Sequence, residues 1–552
     1  MSLNRSPSKQ FEYGEVYLST PNSDTDIDLT PSWVQLEVTE GIYSPFISGN
    51  ITILDAGGFQ EIIPLIGEET LFINLSTGDF RDNTSRSQEP TQNKEIKGRY
   101  RIYKVSEPVK TNNAQSKMYT LFFVSETYFR NKKSRVQRSY QNRKISEIVK
   151  NIYEEFIKEE SIVPSPLDAY EKDVNVESTL NFHTFCIPNM SPYEAINMIK
   201  RKAISAPAQP TPLNPNPNLN QGATFLFFET MDTFEFVSLE QLMNAQSVQT
   251  LLYKPKSTQK TGRGDTLEMN MNSVEDYNVV KTFDVLENME EGMYSSRLIT
   301  YDITKQQFSE VEYNYLPKKL EKQVKAVNNR QRGLTSIVPS NINTNQERAD
   351  GEVEDLASHI APGKLCSEHM DLLYNPKQKV YLKPTRFNHN IDFQRNTKFA
   401  GGPIEKGILP DQIELSFLQR KSQLQQLQNI KLGVLIRGNS ERHPGQMVEF
   451  KLPSDRVNEN NNPAAVEEHL FYSGRFLITS ARHVFVNRSG ESGTYTTHLE
   501  LSKDSLNTKL PGVDLVELDP NNLQSAEEER AIENQKALLN LTTTGKIVKG
   551  VS

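Results

Sequence analysis

The stretch "GNSERHPGQMVEFKLPS", Gly438 to Ser454, places Ser440 three residues before His443. A serine becomes a nucleophile only with a base in hydrogen-bond reach, and a histidine base needs a third group to orient it. Glu441 is the nearest carboxylate, but it sits in the same turn and cannot hold the histidine from behind. The stretch therefore reads as a turn, with Gly438 and Gly445 supplying permissive backbone. His498, in "TYTTHLELS", alternates away from Tyr495, Thr497, Leu499 and Leu501 and reads as a surface residue. His359, Cys366 and His369 offer three transition-metal ligands, yet their spacing fits no closed zinc site. Asp24, Asp26 and Asp28 begin like a calcium loop, but Leu29 stands where glycine is needed and Gln35 where glutamate is needed. "GRGD", Gly262 to Asp265, reads as a turn, and the basic run Lys318 to Arg332 as a solvated linker, with contact to DNA or an acidic neighbour as the alternative. No phosphate-binding glycine loop, paired redox cysteines or nucleophile elbow is present. The expectation is a protein with no catalytic, cofactor-binding or metal-binding residues.

At 552 residues the chain is too long for one core, and about 150 residues per domain gives three or four. Its formal charge of -8 argues against a reader of nucleic acid that grips phosphates with a broad basic face. Cys186 and Cys366 are the only cysteines, so no disulfide framework is expected and a reducing compartment fits. The start "MSLNRSPSKQ" lacks the apolar core of a signal peptide, and no run approaches the roughly 18 apolar residues of a membrane span.

The first 128 residues read as β: "WVQLEVT" alternates with Val34, Leu36 and Val38 on one face, and "GNITILD", "TLFINL", "GRYRIYKVS" and "MYTLFFVS" follow. The period then changes. "RKISEIVKNIYEEFIKEE" carries Ile145, Ile148, Val149, Ile152, Tyr153, Phe156 and Ile157 at helical spacing. "SPYEAINMIKRKA" opens with Ser191 as N-cap, Pro192 at the first position and Glu194 closing a capping box. "TFLFFET", "TFEFVS", "GMYSSRLITYDI" and "SEVEYNYL" read as strands, and "SFLQRKSQLQQLQNI" as a short helix on Leu418, Leu424, Leu427 and Ile430. A regular β pattern resumes after Pro410.

Self-similarity is the most informative feature. "GRYRIYKVSEPVKTNNAQSKMYTLFFV" and "GRFLITSARHVFVNRSGESGTYTTHLE" align without a gap, matching Gly98, Arg99, Ile102, Ser116, Tyr119 and Thr120 to Gly474, Arg475, Ile478, Ser492, Tyr495 and Thr496. In the preceding strands Phe72 and Ser76 fall opposite Phe450 and Ser454. Two copies of one β module are expected.

In the order and spacing of "RNKKSRVQRSYQNRKISEIVKNIY", "IPNMSPYEAINMIKRKA", "FLFFETMDTFEFVSLEQL", "ENMEEGMYSSRLITYDITKQQF" and the "GQMVEFKLPS" to "LELSKDSL" run, the chain resembles the central baseplate hub proteins of contractile-tailed phages. The resemblance implies a mainly β fold with α+β insertions: two related small tube-like β-barrel domains plus two mixed domains. The expected divisions are a first barrel at 1–128 and an α+β domain at 129–260. A second barrel follows from 261–287 and 411–509, with an inserted domain of long polar loops at 288–410 and an acidic tail at 510–552. It further implies a non-enzymatic homotrimer in the virion, assembled in the host cytoplasm. Its implied partners are a tail tube ring, a separate central spike and neighbouring baseplate proteins, with genomic DNA passing through unbound and no membrane insertion. The alternatives are a baseplate cell-wall hydrolase, which needs paired carboxylates or a metal, and a carbohydrate-binding receptor-recognition protein, which needs exposed aromatics on its loops.

Overall fold

The computed structural model describes residues 11–20, 26–58, 65–77, 95–110, 116–158, 172–180, 182–206, 222–253, 273–302, 306–314, 379–385, 413–454, 468–469, 471–488 and 491–504. Asp24, "GRGD", the run 318–332, His359, Cys366, His369 and the tail at 510–552 lie outside them.

The N-terminal strands are β1 (Phe11–Ser19), β2 (Ile27–Asp28), β3 (Trp33–Gly41), β4 (Ser48–Asp55), β5 (Thr70–Thr77), β6 (Glu95–Val105), β7 (Val109–Lys110) and β8 (Lys117–Ser125). They pair in the order β1-β5-β6-β8-β4-β3, with β2 beside β1 and β7 beside β8. Alternation buries one face, and Leu36, Val38, Ile51, Ile53, Leu71, Ile73, Ile102, Leu121 and Phe123 make the core. Val34 is not on that face. A bulge between Trp33 and Gln35 shifts the pleat, so Trp33 is buried in its place.

The mixed region carries α1 (Glu126–Lys133), β9 (Val136–Arg143), α2 (Ile145–Ile152), β10 (Asp173–Val176), β11 (His183–Met190), α3 (Pro192–Lys200), β12 (Phe225–Glu229), β13 (Thr233–Ser238) and α4 (Leu239–Asn244). α2 runs into a π-helical turn, Tyr153–Ile157, and its stripe packs with α3 on Phe225, Phe227, Phe234 and Phe236. The capping box at Ser191 forms as its sequence requires, each partner receiving a hydrogen bond from the other's backbone.

Downstream come β14 (Ser247–Tyr253), β15 (Ser273–Lys281), α5 (Val285–Glu290), β16 (Ser295–Asp302), β17 (Gln307–Asn314), β18 (Val380–Thr385) and α6 (Ile413–Gln426). The last strands are β19 (Ile430–Arg437), β20 (Met447–Lys451), β21 (Gly474–Arg488) and β22 (Glu491–Lys503). β16, β17 and β18 form a separate sheet against α6. α6 ends at Gln426, so Ile430 opens β19 instead of extending the helix stripe.

β14, β20, β21, β22, β19 and β15 close on themselves as a six-strand barrel. Its spatial order, β14-β20-β21-β22-β19-β15, repeats that of β1-β5-β6-β8-β4-β3 in the same chain order, except that β14 runs parallel to β20 where β1 runs antiparallel to β5. Bulges recur at matching places. Ile102/Lys104 against Phe123/Phe122 answers Ile478/Ser480 against Leu501/Glu500, and Trp33/Gln35 answers Val274/Asp276. These ladders correct the ungapped alignment. Ile102 does match Ile478, but Phe123 matches Leu501, so Tyr119 corresponds to Thr497 and not to Tyr495. Likewise Ile73, opposite Gly98, matches Phe450, opposite Gly474, and Phe72 does not. The expected start of the second barrel at 261 is also late, because β14 already supplies one of its walls from Ser247.

Among the described residues the first strand set has no ladder between β1 and β3. That gap is filled by the outer half of the β21–β22 hairpin: β21 pairs with β3, and Phe485 and Tyr495 lie in the first core. Trp33, the only tryptophan, sits in that core, so its fluorescence reports the first barrel alone. Phe485→Ala should cost about 3–5 kcal/mol and lower the denaturation midpoint read from Trp33, although residue 485 belongs to the second copy. A Trp33 transition that stays in place would show that the hairpin is not part of the first barrel's core.

Candidate functional site: the seam between the barrels

The functional geometry with most built into it is the seam where β3 meets β21. Gln35 to Gly41 pair antiparallel with Val486 to Ser480, register fixed residue by residue. Along β3 the inward positions run Leu36, Val38, Glu40, and the last of these is a carboxylate that is 1% exposed. Burying a charge demands partners. Met231 N donates to Glu40 Oε2 at 2.9 Å, while Oε1 faces His443 Nδ1 at 3.1 Å and His483 Nε2 at 3.3 Å. His483 Nδ1 lies 2.8 Å from the Tyr495 hydroxyl, and His443 Nε2 lies 3.3 Å from Asp232 Oδ2. Ser480 Oγ donates to the Glu40 carbonyl at 3.0 Å.

Four parts of the chain converge here. β3 brings Glu40, the β21–β22 hairpin brings His483 and Tyr495, the loop before β20 brings His443, and the turn between β12 and β13 brings Met231 and Asp232. That turn is held from its other side by Glu229, which accepts from Ile47 N at 3.1 Å, Ser125 Oγ at 2.9 Å and Lys172 Nζ at 2.7 Å. A shared apolar cluster of Ile42, Phe228, Met243, Leu427, Met447 and Leu477 lies against the same junction. Gly438 is required by close approach: a Cβ there would lie 2.0 Å from the Tyr495 ring.

The electrostatics follow from this packing. Burial alone would raise the Glu40 carboxyl, but the charge on His443 and hydrogen bonds from both histidines outweigh it and hold it down at about 2. Burial works against a charged His443, yet the Glu40 carboxylate and the hydrogen bond to Asp232 push it up to about 9. Burial raises the Tyr495 hydroxyl, which keeps its proton.

The same geometry answers the question of Ser440. The missing third group exists, but it comes from Glu40 and Asp232, far from the turn in sequence. Both ring nitrogens of His443 are occupied by carboxylates, which leaves neither to take a proton from a serine. His498 is half-buried and not fully at the surface, since Leu435 and Arg482 flank it across the sheet. Gln35 Nε2 donates to Glu37 Oε1 at 2.7 Å along β3, and Asp28 Oδ1 accepts from Thr30 N at 2.9 Å, so both spend these atoms on local hydrogen bonds.

Neither family models nor curated proteins match the chain. Among solved structures it is similar to a tail protein from Neisseria meningitidis, with 10% identity over 89% of this chain and 97% of that one, at a TM-score of 0.41. It is similar too to a 43 kDa prophage tail protein from Shewanella oneidensis, with 8% identity, 89% and 98% coverage and a TM-score of 0.40. A prophage tail protein from Listeria monocytogenes follows at 7% identity, 88% and 94% coverage and a TM-score of 0.36.

Seam stability should depend on pH in both directions. His443 is raised from 6.5 to about 9, so its contribution is complete below about 6.5 and is lost as pH rises through about 9. Glu40 is lowered from 4.5 to about 2, so its contribution is complete above about 4.5 and is lost as pH falls through about 2. Denaturation midpoints measured from pH 6 to 10 should fall for the natural chain. In Glu40→Gln, which should start about 3–5 kcal/mol lower, that alkaline slope should be largely gone. Parallel slopes in the two proteins would remove the Glu40–His443 pair as its source.

Proposed function

We propose that this chain is a structural virion protein: a homotrimeric central hub that joins a sixfold tail tube to a threefold spike. The observation that carries this reading is the internal duplication, two strand sets of one order with two bulges at matching places in a single chain. Three such chains around an axis present six similar walls, which is what a ring needs to match a sixfold partner on one face and a threefold partner on the other. The seam supports the reading mechanically. Glu40, His443 and Asp232, the Glu229 knot and the shared apolar cluster bind both barrels and the β12–β13 turn into one body. A hub that transmits the thrust of sheath contraction must be such a body, because loosely joined barrels would shear.

In this role the chain is not an enzyme. Its partners are a tail tube ring, a separate spike and neighbouring baseplate proteins, and genomic DNA passes through the ring without being held. The -8 charge of each chain triples in the ring, which suits a lumen that must not retain a polyanion. The expected divisions carry over with one change, the second barrel now taking its first strand from β14.

Native mass spectrometry of the full chain should give three times 62.9 kDa, and electron microscopy of the same sample should show a ring with six similar lobes. A monomer at every concentration tested would sink the hub reading.

A further inference from the structure

The seam within the chain predicts a second seam between chains. In the first copy the free side of β3 is covered by the outer half of β21. The counterpart of β3 is β15, since both carry the bulge after their first paired residue, and this sets Glu37 equivalent to Asn278 and Val38 to Val279. β14 covers β15 only at Ser273 and Val274. Among the described residues no strand pairs with the same side of Asn278 to Lys281, where Val279 and Val280 are 39% and 53% exposed. An open edge carrying two exposed valines is a template for another strand.

The hairpin that would match it is also bare. β7 pairs with β8 through Val109 and Met118, as β21 pairs with β22 through Val484 and Thr496. Val109 therefore holds the position of Val484. Val484 is covered by β3 and 9% exposed, whereas Val109 is 66% exposed.

We propose that β7 of one copy pairs antiparallel with the open edge of β15 in the next copy, repeating between chains the contact that β21 makes with β3 within one. The register follows from the internal template. Val484 lies opposite Glu37, so Val109 lies opposite Asn278 of the neighbouring copy, and Lys110 opposite its Tyr277. Pro108, which has no N–H to donate, precedes this short ladder and falls in the gap between β6 and β7. The contact is heterologous, a hairpin on one copy against an edge on the next, so it closes a ring only if the rotation per chain is right. Three copies meet that condition if in-chain and between-chain seams alternate with the same turn. The proposal rests on the hub reading and gives its ring a specific joint.

The test uses the full chain with Cys186→Ser and Cys366→Ser, carrying Val109→Cys and Asn278→Cys together. Directly opposed residues of an antiparallel pair have Cα atoms about 4.5–5.5 Å apart, within reach of a disulfide. Mild oxidation should give a covalent trimer on a non-reducing gel, and either cysteine alone should not. A trimer in native mass spectrometry that stays unlinked overturns this seam and leaves the hub reading standing, while a protein that is only monomeric overturns both. Val280→Lys, at an exposed site of the single chain, should weaken trimer association at least tenfold with the Trp33 unfolding midpoint unchanged. Unaltered association counts against the seam.

Discussion

The ladder between Gln35–Gly41 and Ser480–Val486 is the constraint on which the rest of the structure depends. A strand edge exposes a row of backbone donors and acceptors, and β3 has its row covered by a strand made more than four hundred residues later. Contacts of such sequence separation form late, because the loop entropy must be overcome before they stabilise anything. The first barrel is thus open between β1 and β3 until the β21–β22 hairpin exists and delivers Phe485 and Tyr495 to its core. The two copies are separate strand sets joined into one sheet and one energetic unit.

A buried carboxylate is a costly way to join two barrels, since a well-packed apolar contact of the same volume is often as stable. Its contribution here is register. A slip of one residue along β3 would turn Glu40 outward, strip His443 and His483 of their partner and leave Met231 N unpaired. Apolar neighbours such as Leu36 and Val38 would tolerate the shift far better. The ionic knot therefore discriminates among pairings that hydrophobicity alone would leave close in energy.

Much of this fold was legible in the sequence. Alternation located β3 to β6 and β8 of the first barrel and β19 to β22 of the second, but not β14 or β15; helical spacing found the α2 stripe, and the Ser191–Glu194 pair marked the start of α3. The duplication was also readable, but its register was not. Matching Tyr119 with Tyr495 maximised identities, whereas the bulges that fix the true correspondence leave no signature in residue type. The knot was missed for a different reason. Its members are dispersed over β3, the β12–β13 turn, the loop before β20 and the β21–β22 hairpin, so no local spacing connects them. One signal was present: Glu40 continues the inward series of Leu36 and Val38, and His483 falls between Ala481 and Phe485 on a buried face. A charge at a position where the pleat demands an apolar residue points to a buried partner.

The two copies have diverged where their edges differ in duty. β3 carries Glu40 in an edge that its own chain covers. A desolvated ion network suits a contact of that kind, since its desolvation cost is met a single time and its geometry is set by the fold. β15 carries Val279 and Val280 in the places of Val38 and Thr39, and Lys281, next along it, is already paired with Glu287. On the proposed pairing between copies, an edge that stays uncovered until assembly could not hold an unpaired carboxylate inside, but it could hold two valines, each of which tolerates water at modest cost and gains from burial later. On that proposal, the difference between β3 and β15 is what folding first and assembling second would require of two equivalent strands.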